Sequence, residues 1–216
     1  MDTKLTGKTR IESDLIGARE IPAEALYGVQ TLRGIENFSI SKFRLSEYPL
    51  FIKGLAITKM AAAMANFELG LLTVEQKDAI IAACGEIIDG KHHDQFPVDM
   101  IQGGAGTTTN MNANEVIANR ALELMGHERG EYQYCSPNDH VNCSQSTNDA
   151  YPTAIHIGMY FKHLQLLPHL EELIASFRKK GEEFSRIIKM GRTQLEDAVP
   201  MTLGQTFNGF ASILQD

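Results

Sequence analysis

One run of residues limits the possible folds most. From Thr153 to about Lys189, apolar side chains recur at helical spacing: Ile155, Met159, Leu164, Leu167, Leu170, Leu173, Phe177, Phe184 and Ile188. Such a run makes a helix of roughly 55 Å at 1.5 Å per residue. That length suits a long bundle better than a small globule. Pro168 lies inside the run and is expected to kink it or open it locally. His156, His163 and His169 fall along it as packing or surface residues.

The stretches before this run are also helical. Leu50 to Leu69 is Ala-rich and stops at Gly70. Thr73-Val74-Glu75-Gln76 reads as a capping box that opens a helix through Ala79, Ala83 and Ile87, closed by Gly90. A further helix is expected from Met111 to Met125, with Gly126 as its cap, and a last one from Thr202 or Gly204 onward. Residues 9–50 are mixed and loop-like, with Gly17, Pro22, Gly28, Gly34 and Pro49 spaced through them. The fold class read from this pattern is mainly α. A small N-terminal helical domain over 1–145 is followed by the start of a long helical bundle over 146–216. The pattern breaks off inside the last helix, as though the bundle continued.

The bulk numbers exclude several classes. With 43% hydrophobic and 22% charged residues, the composition is that of a soluble globular protein. The net charge of −7 and the lack of a basic block argue against nucleic acid. No run of 18 apolar residues is present, so no membrane partner is expected. Cys84, Cys135 and Cys143, with no export signal ahead of them, suggest reduced thiols in the cytoplasm. Lys91-His92-His93-Asp94 has no partner at ligand spacing and reads as a solvated turn, so no metal site is assigned.

Three polar blocks stand between helices. Gln102-Gly103-Gly104-Ala105-Gly106-Thr107 precedes one helix start, and Ser144-Gln145-Ser146-Thr147-Asn148-Asp149 precedes the long run. Met190-Gly191-Arg192-Thr193-Gln194 interrupts the pattern after it. The first lacks the Lys of a Walker A loop and no strand precedes it as in a dinucleotide fingerprint, so no cofactor is expected. A helix start carries unpaired N–H groups and the positive end of the dipole, and so favours an anion. Hydroxyl and amide donors around it suit a carboxylate or a phosphate. Thr107, Ser146, Thr147, Asn148, Thr193 and Gln194 supply neutral donors, and Arg33 and Arg192 charged ones. Such a site fits a small di-anion and proton abstraction beside a carboxylate, where donors stabilise an enediolate more than the ground state.

Taken together, these blocks resemble the fumarase/aspartase superfamily. The likeness also includes Glu12-Ser13-Asp14-Leu15-Ile16-Gly17, Pro22 through Thr31, Leu32 through Phe38, and Asn110-Met111-Asn112. It implies a homotetramer whose active sites each draw one polar block from three subunits. It implies a small dicarboxylate substrate bound by Thr107, Ser146, Thr147, Asn148 and Thr193, with Gln194 beside it. Arg33 is a further expected contact, and Asn138, Asp139 and His140 resemble a secondary carboxylate site. Fumarases are similar here but carry Gly-Arg-Thr-His, whereas this chain has Gln194. A neutral amide cannot titrate, which favours the ammonia-lyase branch: L-aspartate to fumarate and ammonia, reversibly, by anti elimination. The general base implied by the family is a Ser on a Gly-Ser-Ser loop. No such motif lies within these 216 residues, so it is expected beyond Asp216 and the chain by itself is expected to be inactive. The alternatives are a class II fumarase and a non-catalytic helical assembly piece. Argininosuccinate and adenylosuccinate lyases look more distant.

Overall fold

The computed structural model describes residues 7–216, which form two compact units, one through Tyr160 and one from Phe161. The first unit opens with an antiparallel hairpin, β1 (Thr9–Asp14) and β2 (Gly17–Pro22), in register from Thr9 opposite Pro22 to Asp14 opposite Gly17. Its turn is held by Asp14, whose Oδ1 accepts from the N–H groups of Ile16 and Gly17 at 2.9 and 3.1 Å. This corrects the loop-like reading of residues 9–50. The inward residue of β1 is Glu12, buried and paired with Arg10, so the strand's buried face is polar and gives no apolar alternation.

Helices follow: α1 (Val29–Asn37), α2 (Pro49–Glu68), α3 (Val74–Ile88) and α4 (Thr107–Leu124). The capping box of α3 is present, with Gln76 N–H donating to Thr73 Oγ1 and Thr73 N–H to Gln76 Oε1. Gly70, Gly90 and Gly126 end α2, α3 and α4 with positive φ, in keeping with their positions in the sequence. The core gathers Ile52, Leu55 and Ala56 of α2, Ile80, Ala83 and Ile87 of α3, and Val116, Ile117 and Ala121 of α4. By length and composition α2 could cross a membrane, with a mean hydropathy of 1.3, and it packs here against α3 in this core.

The long helix α5 runs from Thr147 to Glu183, unbroken through Pro168, and the compact units part within it. It starts earlier than the apolar spacing indicates, because Ser146 accepts the N–H of Asn148 on its hydroxyl and Thr147, Asn148 and Asp149 form a polar first turn. Pro168 removes one backbone donor, and the bonds on either side carry the helix past it. Near its start α5 lies directly on α2. A Cβ added at Gly54 would sit 2.2 Å from the carbonyl oxygen of Ala154, and one at Gly158 would sit 3.0 Å from that of Leu50. Gly54→Ala is therefore expected to push the helices apart and cost about 1–3 kcal/mol. An unchanged urea midpoint for that variant would refute it.

The second unit holds the rest of α5, a hairpin of β3 (Ile188–Thr193) and β4 (Glu196–Thr202), and α6 (Leu203–Gln215). Phe177 of α5 and Phe184, in the turn just past its end, meet Phe207 of α6 with ring centroids 5.9 and 5.4 Å away. The hairpin corrects the reading of Met190–Pro200 as an inter-helix loop. Its tip is Gln194-Leu195, both with positive φ, of 48° and 69°. Two-residue hairpin turns of this kind are normally filled by Asn and Gly. α6 starts where expected, with a Thr202–Gln205 capping box.

Candidate active site

The first two polar blocks meet inside the first unit. Thr107 opens α4 behind Gly106, whose φ of 83° and close approach to Tyr151 both require glycine: a Cβ there would lie 2.3 Å from the Tyr151 ring. Since Tyr151 is in the second turn of α5, the start of α4 is set beside the start of α5. Gln102 folds over this corner, accepting Thr109 N–H at 2.8 Å and donating to Thr109 Oγ1 at 2.7 Å. Thr107, Ser146 and Asn148 are exposed and Thr147 is half-buried.

Beneath these side chains lies a polar network. Asn110 Nδ2 donates to Thr147 Oγ1 at 3.2 Å and to Asn142 Oδ1 at 3.0 Å. Asn142 Oδ1 also accepts from Lys59 Nζ at 2.9 Å. Asn142 Nδ2 donates to the carbonyl of Gln145 at 3.0 Å, and Asn66 Nδ2 to that of Cys143 at 2.8 Å. The loop ahead of Ser146 is thus pinned from α2 and α4. Asn110 Oδ1 and Gln145 Oε1 are buried with no hydrogen-bond partner among the described residues. Cys143 is half-buried in this loop, while Cys84 and Cys135 are fully buried, and burial pushes both their thiols up to about 12.

Thr107 also lines an open cavity of about 750 Å³, together with Asp14, Arg33, Met111, Glu115 and Asn138. Arg33 lies on its wall with its guanidinium engaged: Nε and Nη2 donate to the two oxygens of Asp14, each at 2.9 Å, and Nη2 to Gly17 O at 2.8 Å. That hydrogen bonding holds the Asp14 carboxyl below its ordinary pKa. Any carboxylate reaching Arg33 competes with Asp14. Glu115 is buried at the back and accepts the N–H groups of Gly28, Gln30 and Thr31 at 2.8, 2.8 and 3.0 Å. Burial raises its pKa, and hydrogen bonds from Thr31, Gln30 and Gly28 oppose the rise.

Asn138, Asp139 and His140 lie in a π-turn, Pro137–Val141. Ser136 N–H donates to His140 Nδ1 at 2.8 Å, which leaves the neutral ring's proton on Nε2. Burial lowers the pKa of His140, with Asp139 acting against it. Asn138 is exposed on the cavity rim, and Asp139 is tied to Ser136, whose hydroxyl donates to Oδ2 at 2.8 Å. Thr193 and Gln194 belong to the second unit, exposed at the hairpin tip. No cluster of three or more metal-ligating side chains occurs among the described residues; His92 pairs with Glu86 at 2.9 Å.

Sequence reasoning gives no role to Lys59, Asn110, Glu115 and Asn142, although Asn110 falls within one of the family-like blocks. A signal exists for the first, a lone cation within the apolar run Leu55 through Ala65. The amides carry none, because a buried Asn looks in sequence like a loop Asn.

The described residues thus form a mainly α body with hydroxyl and amide donors brought together at the starts of α4 and α5. The family model described as Lyase matches residues 17–216, and the chain belongs to that family. Among curated relatives it is similar to aspartate ammonia-lyase of Pseudomonas canavaninivorans, 60% identical over 96% of this chain and 44% of the relative. The aspartate ammonia-lyase of Escherichia coli K12 is 56% identical over 98% of this chain and 45% of the relative. The chain therefore spans under half the length of these relatives. Among solved structures, it is similar to a fumarate lyase:delta crystallin from Brucella melitensis bound to cobalt, with a TM-score of 0.90 and 54% identity over 96% of this chain and 45% of that one. It is also similar to a class II fumarase from Schistosoma mansoni, with a TM-score of 0.86 and 40% identity over 96% of this chain and 44% of that one.

Proposed function

We propose that these residues are part of an ammonia-lyase that converts L-aspartate reversibly to fumarate and ammonia. The observation that carries the reading is the hydrogen-bonded start of α5, with Thr147 anchored on Asn110 and the Thr107 helix start beside it. The identity of 56–60% to aspartate ammonia-lyases supports it. In this reading a base removes the proton next to one carboxylate, leaving an enediolate dianion. The electron pair then forms the carbon–carbon double bond as the amine leaves on the opposite face. Thr107, Ser146, Thr147, Asn148, Thr193 and Gln194 hold the carboxylates, and hydrogen bonds from such preorganised donors strengthen as charge builds. Arg33 is a further contact, and the turn at Asn138, Asp139 and His140 is a secondary carboxylate site. The base is a Ser outside these 216 residues, the active assembly is a cytoplasmic homotetramer, and each site combines blocks from three subunits. The domain limits we assign are 1–145 for the N-terminal domain and 146–216 for the start of the bundle.

Class II fumarase is the second reading, favoured by the likeness to the Schistosoma mansoni enzyme and opposed by Gln194. An assay of fumarate and ammonia release decides between them. The 216-residue chain alone is expected to give no turnover. Joined to the remainder of the Escherichia coli relative, it is expected to turn over L-aspartate and not L-malate. In that form Thr147→Ala should lose about 10²–10³-fold in kcat/KM, the usual effect of removing one donor to a developing oxyanion. Turnover of malate instead would overturn the reading.

A further inference from the structure

Lys59 is fully buried, yet among the described residues no carboxylate lies within ion-pair distance of it. Its ammonium donates instead to Asn142 Oδ1, which is one hydrogen bond from Asn110 and two from Thr147. The same helix presents Asn66, two turns further on, to the carbonyl of Cys143. Two polar side chains of α2 thus grip the four residues leading into Ser146. A structural lysine is normally partnered by an acid or snorkels to solvent. Here, among the described residues, the cation meets the Asn142 amide and the Cys84 thiol and no carboxylate, beneath the donors assigned to an anionic substrate.

We propose that Lys59 is a positioning residue for the dicarboxylate site, its ammonium fixing the Asn142–Asn148 segment through Asn142 and Asn110 and lending the site uncompensated positive charge. The inference rests on the dicarboxylate reading above. An incoming dianion supplies the counter-charge that the fold withholds. The groups that face Lys59 are Cys84 of α3 and the amide of Asn142, with Asn110 of α4 one bond further. The Cys84 thiol stays neutral near pH 7, so the ammonium has no anionic neighbour there. Burial lowers the Lys59 pKa to about 7, so its charge is gained or lost around neutrality.

The test has two arms. In the 216-residue chain itself, nuclear magnetic resonance follows the Lys59 ε-carbon and the backbone amides of Gln145 to Asn148 as pH rises through neutrality. The amides are expected to shift with the midpoint of Lys59, and in Lys59→Met that transition should vanish. Amides that stay still while Lys59 titrates, or that shift alike without it, overturn the proposal. The first of these outcomes needs only the unsubstituted chain. In the protein completed with the remainder of the Escherichia coli relative, Lys59→Met is expected to raise KM for L-aspartate about tenfold or more, with a smaller change in kcat, and to flatten the pH dependence of KM near neutrality. An unchanged KM and pH profile would also overturn it. If the completed unsubstituted protein makes no fumarate from aspartate, the ammonia-lyase reading fails, and the resonance arm still decides whether Lys59 sets this segment.

Discussion

Glu115→Ala is expected to destabilise the first unit by about 3–5 kcal/mol, the range for removing a buried charged partner and stranding the groups it served. α1 has no side-chain cap of its own: Gly28 stands at its N-cap position. The cap comes from α4, where the Glu115 carboxylate takes the N–H groups of Gly28, Gln30 and Thr31. A helix start carries orphan donors and a positive dipole end, so a carboxylate there serves both. Alanine leaves those donors without their acceptor, since Glu12 beside them is already engaged by the N–H of Val29, Arg10 and Tyr132. Glu115→Gln keeps the shape but turns a donor toward donors, and should recover less than half of the loss. Urea unfolding of both variants checks this, and a loss below about 1 kcal/mol for alanine would show that the cap is dispensable.

The second large effect concerns pH. Lys59 titrates at about 7 in the folded chain, against an ordinary value of 10.5. Between those values the unfolded chain holds a proton that the folded chain does not, so stability rises with pH across that window and falls as pH drops toward 7. Below 7 the folded state bears the full cost of a buried ammonium. Between about pH 7 and pH 9 Lys59 should add a slope worth roughly 2–3 kcal/mol, opposed by about 1 kcal/mol as Cys84 and Cys135, held neutral by burial in the folded chain, begin to ionise in the unfolded one. In Lys59→Met this slope should disappear, and below neutrality the variant should be the more stable protein, because Asn142 Oδ1 keeps its bond from Asn110. Parallel denaturation series of the two proteins test this. A Lys59→Met variant less stable at every pH would mean that the ammonium is an ordinary strut of the fold.

The helices are legible because their signals are local. The Thr73–Gln76 and Thr202–Gln205 boxes, the glycines after α2, α3 and α4, and the length of α5 all follow from neighbouring residues. Both hairpins are hidden for physical reasons. In β1 the buried residue is a glutamate, acceptable only because Arg10 and Tyr132 reach it, the latter from a distant point of the chain. In the second hairpin, Gln194 and Leu195 occupy left-handed conformations that their side chains disfavour, so no turn signal marks them. The site divides in the same way. Hydroxyl blocks beside a helical run announce themselves, which is how Thr107 and the Ser146–Asn148 block stand out. What holds them is a lysine and two asparagines from other elements, and their meeting is a property of tertiary packing.

The three cysteines differ in a way that bears on how this protein can be studied. Cys84 and Cys135 are sealed in the core and their thiols resist ionisation, whereas Cys143 is partly open in the loop that Asn66 grips. Thiolate is the reactive species, so a mild alkylating dye should mark one position in the native chain and three in the unfolded one. That single label would stand three residues from Ser146, a built-in optical reporter whose colour or brightness tracks the loop without any engineered cysteine.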